Sequence, residues 1–249
     1  MKAAVKLILQ KLLGLKNYLF VFSVFVIIKL RWDKKEKDFM HFLRLIPDGG
    51  IILDIGANIG VTSWYLSKRF PRSRILSFEP VKINLDTLKS VARLFSLKNV
   101  LPMKMALGNE NGTVKMVMPV IGKVKFHGLA HVVHDELKEN NSGITCTVPI
   151  ARLDDLAEIT GAGAKVNAIK MDVENFEYFV LLGGQEMIKR DLPVLYCELW
   201  KNENRKRCIR FLETLGYHTY TLQDKKLVVC NDLNIDKNNF FFLPGNLKN

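Results

Sequence analysis

The sequence predicts an α/β fold: a doubly wound, mostly parallel sheet preceded by an N-terminal helical extension. Three observations predict it. Short apolar runs alternate with helix-length stretches between residues 51 and 105, the βαβαβ order of a parallel sheet. The first run, Ile51-Ile52-Leu53-Asp54-Ile55, passes straight into a glycine turn, Gly56-Ala57-Asn58-Ile59-Gly60, and then into a helical pattern. A buried parallel strand reads this way, as a short apolar block bounded by turn signals. Runs at 217–222, 226–230 and 239–243 close the chain as an antiparallel set.

The 249 residues, 48% hydrophobic and 25% charged, suit one α/β domain (48–249) behind an apolar and basic helical segment (1–47). The formal charge of +12 is unevenly spread, because residues 1–40 hold nine Lys/Arg and three acids. A basic, apolar N-terminus points to anionic lipid before nucleic acid. The four cysteines are far apart with no zinc spacing, so buried thiols in a reducing, cytoplasmic compartment are expected. No metal site is expected.

Residues 18–28 (YLFVFSVFVII) are eleven positions with Ser23 as the one strongly polar residue. A bilayer span takes about 20 apolar residues. Three readings stay open for residues 3–32: an anchor helix at the cytoplasmic face of a membrane, a helix covering an apolar face of the domain, and a cleaved signal peptide. Trp32 beside basic residues favours the first. Residues 34–46 form an amphipathic helix with Phe39, Phe42, Leu43 and Ile46 on one face, ended by Pro47-Asp48-Gly49-Gly50. Strand 51–55 leads to helix 60–69, strand 74–78 to helix 82–96, and strand 100–105 follows. Strands at 113–118 and 145–150 flank the irregular stretch 119–142, which reads as a lid or substrate loop. Residues 153–156 start a short helix. Strand 166–173, helix 176–189, strand 194–199 and helix 204–215 complete the pattern, the last helix closed by Gly216.

A strand–turn–helix at the carboxyl end of a parallel strand is where open α/β sheets bind ligands. Gly56 and Gly60 permit a sharp turn and close approach. The spacing is G-x-x-x-G, not the G-x-G-x-x-G of dinucleotide sites, which argues against NAD. The next strand ends in Glu79-Pro80, and an acid there can accept hydrogen bonds from both ribose hydroxyls of a nucleoside.

Four pieces then occur in order: Asp54-Ile55-Gly56-Ala57-Asn58-Ile59-Gly60; Phe78-Glu79-Pro80; Met105-Ala106-Leu107-Gly108; and Ile169-Lys170-Met171-Asp172-Val173-Glu174 with Glu177, followed by Leu181-Leu182-Gly183-Gly184. Together they resemble the FkbM family of class I methyltransferases, over residues 48–220. The resemblance implies a seven-stranded Rossmann-like methyltransferase fold, S-adenosylmethionine as cofactor, and O-methylation of a glycan, glycolipid or secondary-metabolite hydroxyl. It implies a cofactor site of Asp54, Gly56, Ala57, Asn58, Gly60, Glu79, Pro80, Ala106 and Asp172. Asp54 would take the donor's ammonium directly or through water, Glu79 the ribose, and the backbone near Ala106 the adenine. Asp172 and Glu174 are the candidates for catalysis, since an oxygen nucleophile must lose its proton. The chain departs from the family where a small Gly-Ala pair after that glutamate is Asn175-Phe176.

A nucleic-acid methyltransferase is the alternative, weakened because Asp172-Val173-Glu174-Asn175 stands where base methylation favours an Asn/Asp-Pro-Pro-aromatic turn. A membrane-bound module without transfer activity is the other alternative, kept open by Asn175-Phe176. Glu198 is a further candidate for contact with an acceptor hydroxyl. His127, His131 and His134 would share one face if a helix forms there, and one of them could serve as an acceptor-side base. The run Arg205-Lys206-Arg207 with Arg210 reads as a solvated helix face.

Overall fold

The structure, a computed structural model, describes residues 3–30, 36–121, 124–125, 130–134, 136–137 and 142–245. Helices α1 (Ala3–Leu30) and α2 (Lys37–Leu45) precede β1 (Ile51–Ile55), α3 (Val61–Arg69), β2 (Arg74–Phe78), α4 (Lys82–Leu94) and β3 (Val100–Met103). A second group follows: β4 (Ala106–Leu107), β5 (Gly112–Ile121), β6 (Val124–Lys125), β7 (His131–Val132) and β8 (Gly143–Ala151). A 3-10 turn at Leu153–Asp155 leads into α5 (Ala157–Thr160) and back to the main sheet through β9 (Val166–Met171), α6 (Glu177–Gly183), α7 (Gln185–Asp191), β10 (Val194–Glu198), α8 (Glu203–Thr214), β11 (Tyr217–Gln223), β12 (Lys226–Val229) and β13 (Asn239–Pro244).

The main sheet runs β12-β11-β13-β10-β9-β1-β2-β3. Its five strands from β10 to β3 are parallel and the remaining three antiparallel. It has eight strands rather than seven, because β12 adds an edge hairpin to β11. From β1 the chain winds outward to β3 and later returns to β9 on the other side, so the strand order reverses beside β1. Such a switch point leaves a crevice above the carboxyl ends. A smaller five-stranded sheet is built on the long β5–β8 hairpin.

Strand alternation divides the core. Leu53, Ile55, Leu76 and Phe78 face α6, α7, α8 and the second sheet. Ile52, Ile75, Ala168, Tyr196 and Phe241 face the other way, onto Phe39, Phe42, Leu43 and Ile46 around α2 and Tyr65 and Leu66 of α3. Phe42 stacks on Tyr196 with ring centroids 5.3 Å apart. The expected amphipathic face of α2 is thus the one buried. The expected domain start near residue 48 falls in the loop before β1, while α2 itself is a layer of the same core.

Helix α1 is two helices joined at Gly14, whose φ of 70° breaks the helical ladder. The segment Ile8–Leu30 is long and apolar enough, by length and composition, to cross a membrane. Its second half nevertheless docks on α3 and α4, burying Tyr18, Leu19, Ser23, Ile27 and Leu30. Trp32 lies outside the described residues.

The expected helix 176–189 is interrupted at Gly183-Gly184. A β-carbon on Gly183 would stand 1.8 Å from the Gly108 carbonyl oxygen. Two stretches far apart in sequence therefore touch, backbone against backbone, and only glycine allows it.

Candidate active site

Register builds the site. Met103 pairs with Phe78, Phe78 with Ile55, Ile55 with Met171, and Met171 with Cys197, so five parallel strands end level. On four of these strands the next residue then stands on one rim: Glu79, Gly56, Asp172 and Glu198. Above the rim lies a cleft with about 600 Å³ of non-atom space, counted out to its mouth. Gly56, Asn58, Glu79, Pro80, Ala106, Asp172 and Glu174 line it, with Leu107, Met116, Ala130, Val132 and Phe176 as apolar wall.

The glycine turn is held by its own amides. Gly56 and Ala57 both donate N–H to the Phe78 carbonyl, at 3.1 and 2.9 Å, and Gly60 donates to Ala57 at 2.9 Å. Gly56 has φ 75°, and a β-carbon there would lie 1.8 Å from the Asp172 carbonyl oxygen. The turn therefore closes directly on the end of β9. Asn58, at φ 48°, donates its N–H to Glu79 Oε2 at 2.9 Å. Glu79 Oε1 accepts the Val81 N–H at 2.8 Å. Asn84 Nδ2 also donates to Oε1, at 3.5 Å, so Oε2 is the oxygen with an acceptor position to spare. Burial raises the Glu79 carboxyl to about 7, against the opposing hydrogen bonds from Val81, Asn58 and Asn84 and the charge of Lys170.

Three of the expected contacts, Asp54, Ala57 and Gly60, lie behind the cleft surface. None lines the cleft. Asp54 is fully buried. Thr62 Oγ1 donates to both its oxygens, at 3.0 and 2.8 Å, and Ser63 Oγ donates at 2.6 Å. It anchors the first turn of α3, where a carboxylate also complements the helix dipole. Gly60 is the left-handed residue before α3, packed on Leu88. Ala57 is a buried corner of the turn.

Comparison with known proteins bears on what this cleft holds. The family model for the Methyltransferase FkbM domain matches residues 54–220, more than half of the chain. The chain belongs to the FkbM methyltransferase family. The methyl donor of that family is S-adenosylmethionine. A relative from Beauveria bassiana, Methyltransferase 1, is 28% identical over 151 residues, covering 55% of this chain and 59% of its own length. Methyltransferase sdnD of Sordaria araneosa is 27% identical over 202 residues, 72% of this chain and 78% of that protein. The crystal structure of methyltransferase FkbM from Methylobacillus flagellatus KT shares the fold, with a TM-score of 0.52 at 17% identity over 78% of this chain and 44% of that one.

The FkbM motif pieces now have physical reasons. The turn at 56–60 meets the fourth piece through Gly56 and Asp172, and the third piece meets the last through Gly108 and Gly183. The cleft also suits the family's donor: a buried carboxylate at Glu79 with an acceptor position open on Oε2, and an apolar wall beside Ala106.

Lys170 was given no role by sequence reasoning. It is buried, and its Nζ donates to the Gly56 carbonyl at 3.2 Å. It lies 3.8 Å from Asp54 Oδ1 and 3.7 Å from Asp172 Oδ2. Burial alone would lower its pKa, but Asp172, Asp54, Glu198 and Glu79 more than offset this and raise it. A lysine inside the apolar run of 166–173 was the available signal.

On the far rim, Glu174 and Asn175 have φ of 55° and 74°. At Asn175 the family's glycine would be at ease; asparagine tolerates this region better than most residues. Asn175 is tied down by Asn202 Nδ2, which donates to its Oδ1, and Asn204 Nδ2, which donates to its carbonyl, each at 2.8 Å. Phe176 stacks on Phe179, centroids 4.7 Å apart, and forms cleft wall. The pair is thus accommodated rather than disruptive. Burial raises the Glu174 carboxyl to about 8, helped by repulsion from Asp172, Glu198 and Glu177. Buried Glu177 is raised to about 8 by desolvation, and its Oε1 accepts the Val173 N–H at 3.1 Å. Glu198 is raised by burial and by Asp172.

His131 and His134 do not share a helix. His131 is in β7, paired with Val117, and His134 lies against Phe179 with ring centroids 4.2 Å apart. His127 lies outside the described residues. Among the described residues no group of three or more His, Cys, Asp or Glu side chains is arranged to hold a metal. The basic run is divided too. Arg205 is buried, donating to the Leu199 and Ile235 carbonyls, and Arg207 lies 4.0 Å over the Tyr178 ring while pairing with Glu136 at 2.7 Å.

Proposed function

We propose that this chain is an S-adenosylmethionine-dependent O-methyltransferase acting on a hydroxyl of a glycan, glycolipid or secondary-metabolite acceptor at a membrane face. The observation that carries the reading is the pairing, across one cleft, of an acceptor-rich Glu79 with a high-pKa Glu174. When bound, the cofactor supplies a methyl group on a cationic sulfur. Glu79 would accept hydrogen bonds from the ribose hydroxyls, and the apolar wall beside Ala106 would take the adenine. Asp172, paired with Lys170, keeps negative charge beside the reacting centre. Glu174 takes the proton of the attacking hydroxyl; a carboxyl at about 8 is a competent base near neutral pH. Holding the hydroxyl in line supplies much of the remaining rate.

Helix α1 supports the membrane part of the reading. Val21, Phe25 and Ile28 are each more than half exposed on the side away from the domain. A helix docked along one side suits an interfacial position better than a span. A lipid-linked sugar would then meet the cleft at the same surface.

The test is transfer of tritiated methyl groups from S-adenosylmethionine into a fractionated lysate. Label in envelope glycan, glycolipid or small-metabolite fractions supports the proposal. Label confined to RNA or DNA favours a nucleic-acid methyltransferase, and no label from protein that binds the cofactor favours a binding module.

A further inference from the structure

The docked side of α1 is not purely apolar. Ser23, fully buried, donates its hydroxyl to the Ile59 carbonyl at 2.9 Å. Further along the helix, the Tyr65 hydroxyl of α3 donates to the Ile27 carbonyl at 2.7 Å. Ile59 sits inside the cofactor turn, between Asn58, whose N–H holds Glu79, and Gly60, whose φ of 85° starts α3. A short chain of bonds thus runs from the N-terminal helix through Ile59 and Asn58 to the carboxylate placed for the ribose.

The other side of α1 is open. Ile8, Leu12, Val21, Phe25 and Ile28 are more than half exposed. Residues 3–30 contain four lysines and no acid, and Lys11, Lys16 and Lys29 are exposed. Apolar side chains among basic ones match an anionic bilayer surface. A second copy of the same basic helix would meet like charge.

We propose that α1 couples bilayer contact to cofactor affinity, with Ser23 as the positioning residue. This rests on the donor and membrane readings above. A bilayer under the open face favours the docked helix, and the docked helix fixes the Ile59 carbonyl and with it the 56–60 turn. Bilayer and cofactor both prefer the same form, so each tightens binding of the other by an equal factor.

The experiment uses the full chain, S-adenosylmethionine, and vesicles of either phosphatidylcholine or an equal mixture with phosphatidylglycerol. Cofactor affinity is read by calorimetry, membrane binding by sedimentation, and loop order by amide exchange over residues 56–60. Wild type is expected to sediment with the mixed vesicles, to bind cofactor several-fold more tightly on them, and to show slower exchange in the turn. Ser23→Ala should still sediment, but bind cofactor about three- to tenfold more weakly, the worth of one hydrogen bond, with exchange indifferent to vesicles. Ser23→Thr should restore both. Phe25→Glu should lose sedimentation and keep the wild-type affinity in solution. If Ser23→Ala fails to fold, Tyr65→Phe removes the companion bond and should show a smaller loss of the same kind. A Ser23→Ala protein matching wild type in affinity and vesicle response overturns the coupling, as does a wild type whose affinity ignores vesicles it binds. Wild type that binds no cofactor with or without vesicles overturns the donor reading instead, and wild type that sediments with neither vesicle overturns the membrane reading.

Discussion

The two rims of the cleft are built differently. The rim from Gly56 to Glu79 is held mainly by backbone hydrogen bonds and side chains of residues 54–84, on two adjacent parallel strands, with Ser23, Met103 and Lys170 as partners from outside. The rim from Asp172 to Phe176 depends on partners brought from afar: Asn202 and Asn204 hold Asn175, while His134 lies against Phe179 and Arg207 pairs with Glu136 nearby. A site for an invariant ligand can be made of local backbone. An acceptor site of the kind proposed above would rest on side chains from separate elements.

The sharpest way to break this division is Glu174→Gln. Methyl transfer should fall by about 10²–10⁴-fold, the usual worth of a general base, while cofactor affinity by calorimetry stays nearly unchanged. Loss of both together would move Glu174 to the donor side. Glu79→Ala is the complementary test. Two charge-assisted hydrogen bonds lost should weaken the cofactor roughly 100-fold, with Glu79→Gln intermediate in equilibrium dialysis.

Acidity should separate binding from stability. With the Glu79 carboxyl at about 7, its full acceptor capacity is present above that pH. Cofactor affinity should weaken by up to about tenfold for each unit below it. Folding runs the other way. Glu79, Glu174 and Glu177 have folded pKa values of about 7, 8 and 8, above the ordinary 4.5. Their contribution to stability is complete below about 4.5 and is lost as pH rises through 7 and 8. A thermal-melting series of cofactor-free protein should decline over that window, and a series that rises would contradict the buried-acid picture. The smallest effect is expected at Asn175→Gly. Relief of the left-handed backbone offsets the lost bond from Asn202, so urea midpoints should shift stability by less than about 1 kcal/mol.

The same division governs what the sequence discloses. The strands β1 and β2, the turn and Glu79 are adjacent in the chain, and a strand–turn–helix reads directly from hydrophobic pattern and glycine spacing. Asp54 was legible as important but not for its reason, because the bonds from Thr62 and Ser63 that occupy it appear only once α3 folds back. Lys170 escaped notice because its meaning depends on Asp54, Glu79 and Glu198 from three other strands as well as Asp172 at the end of its own. Arg205 reads as a surface charge until the 235–240 segment closes over it, with the Phe240 ring 5.0 Å away. The kink at Gly14 could be suspected from a glycine in a helical run, whereas the Ser23–Ile59 bond spans 36 positions and leaves no periodic trace.

The contact between Gly108 and Gly183 has a mechanical consequence. With a carbonyl oxygen resting where a β-carbon would be, the small sheet and α6 are welded without slack. Sliding one past the other to widen the cleft would break that seam. A bulkier residue at 183 would act as a wedge, and its damage would reach the catalytic rim through Phe176 without touching any group that meets a ligand.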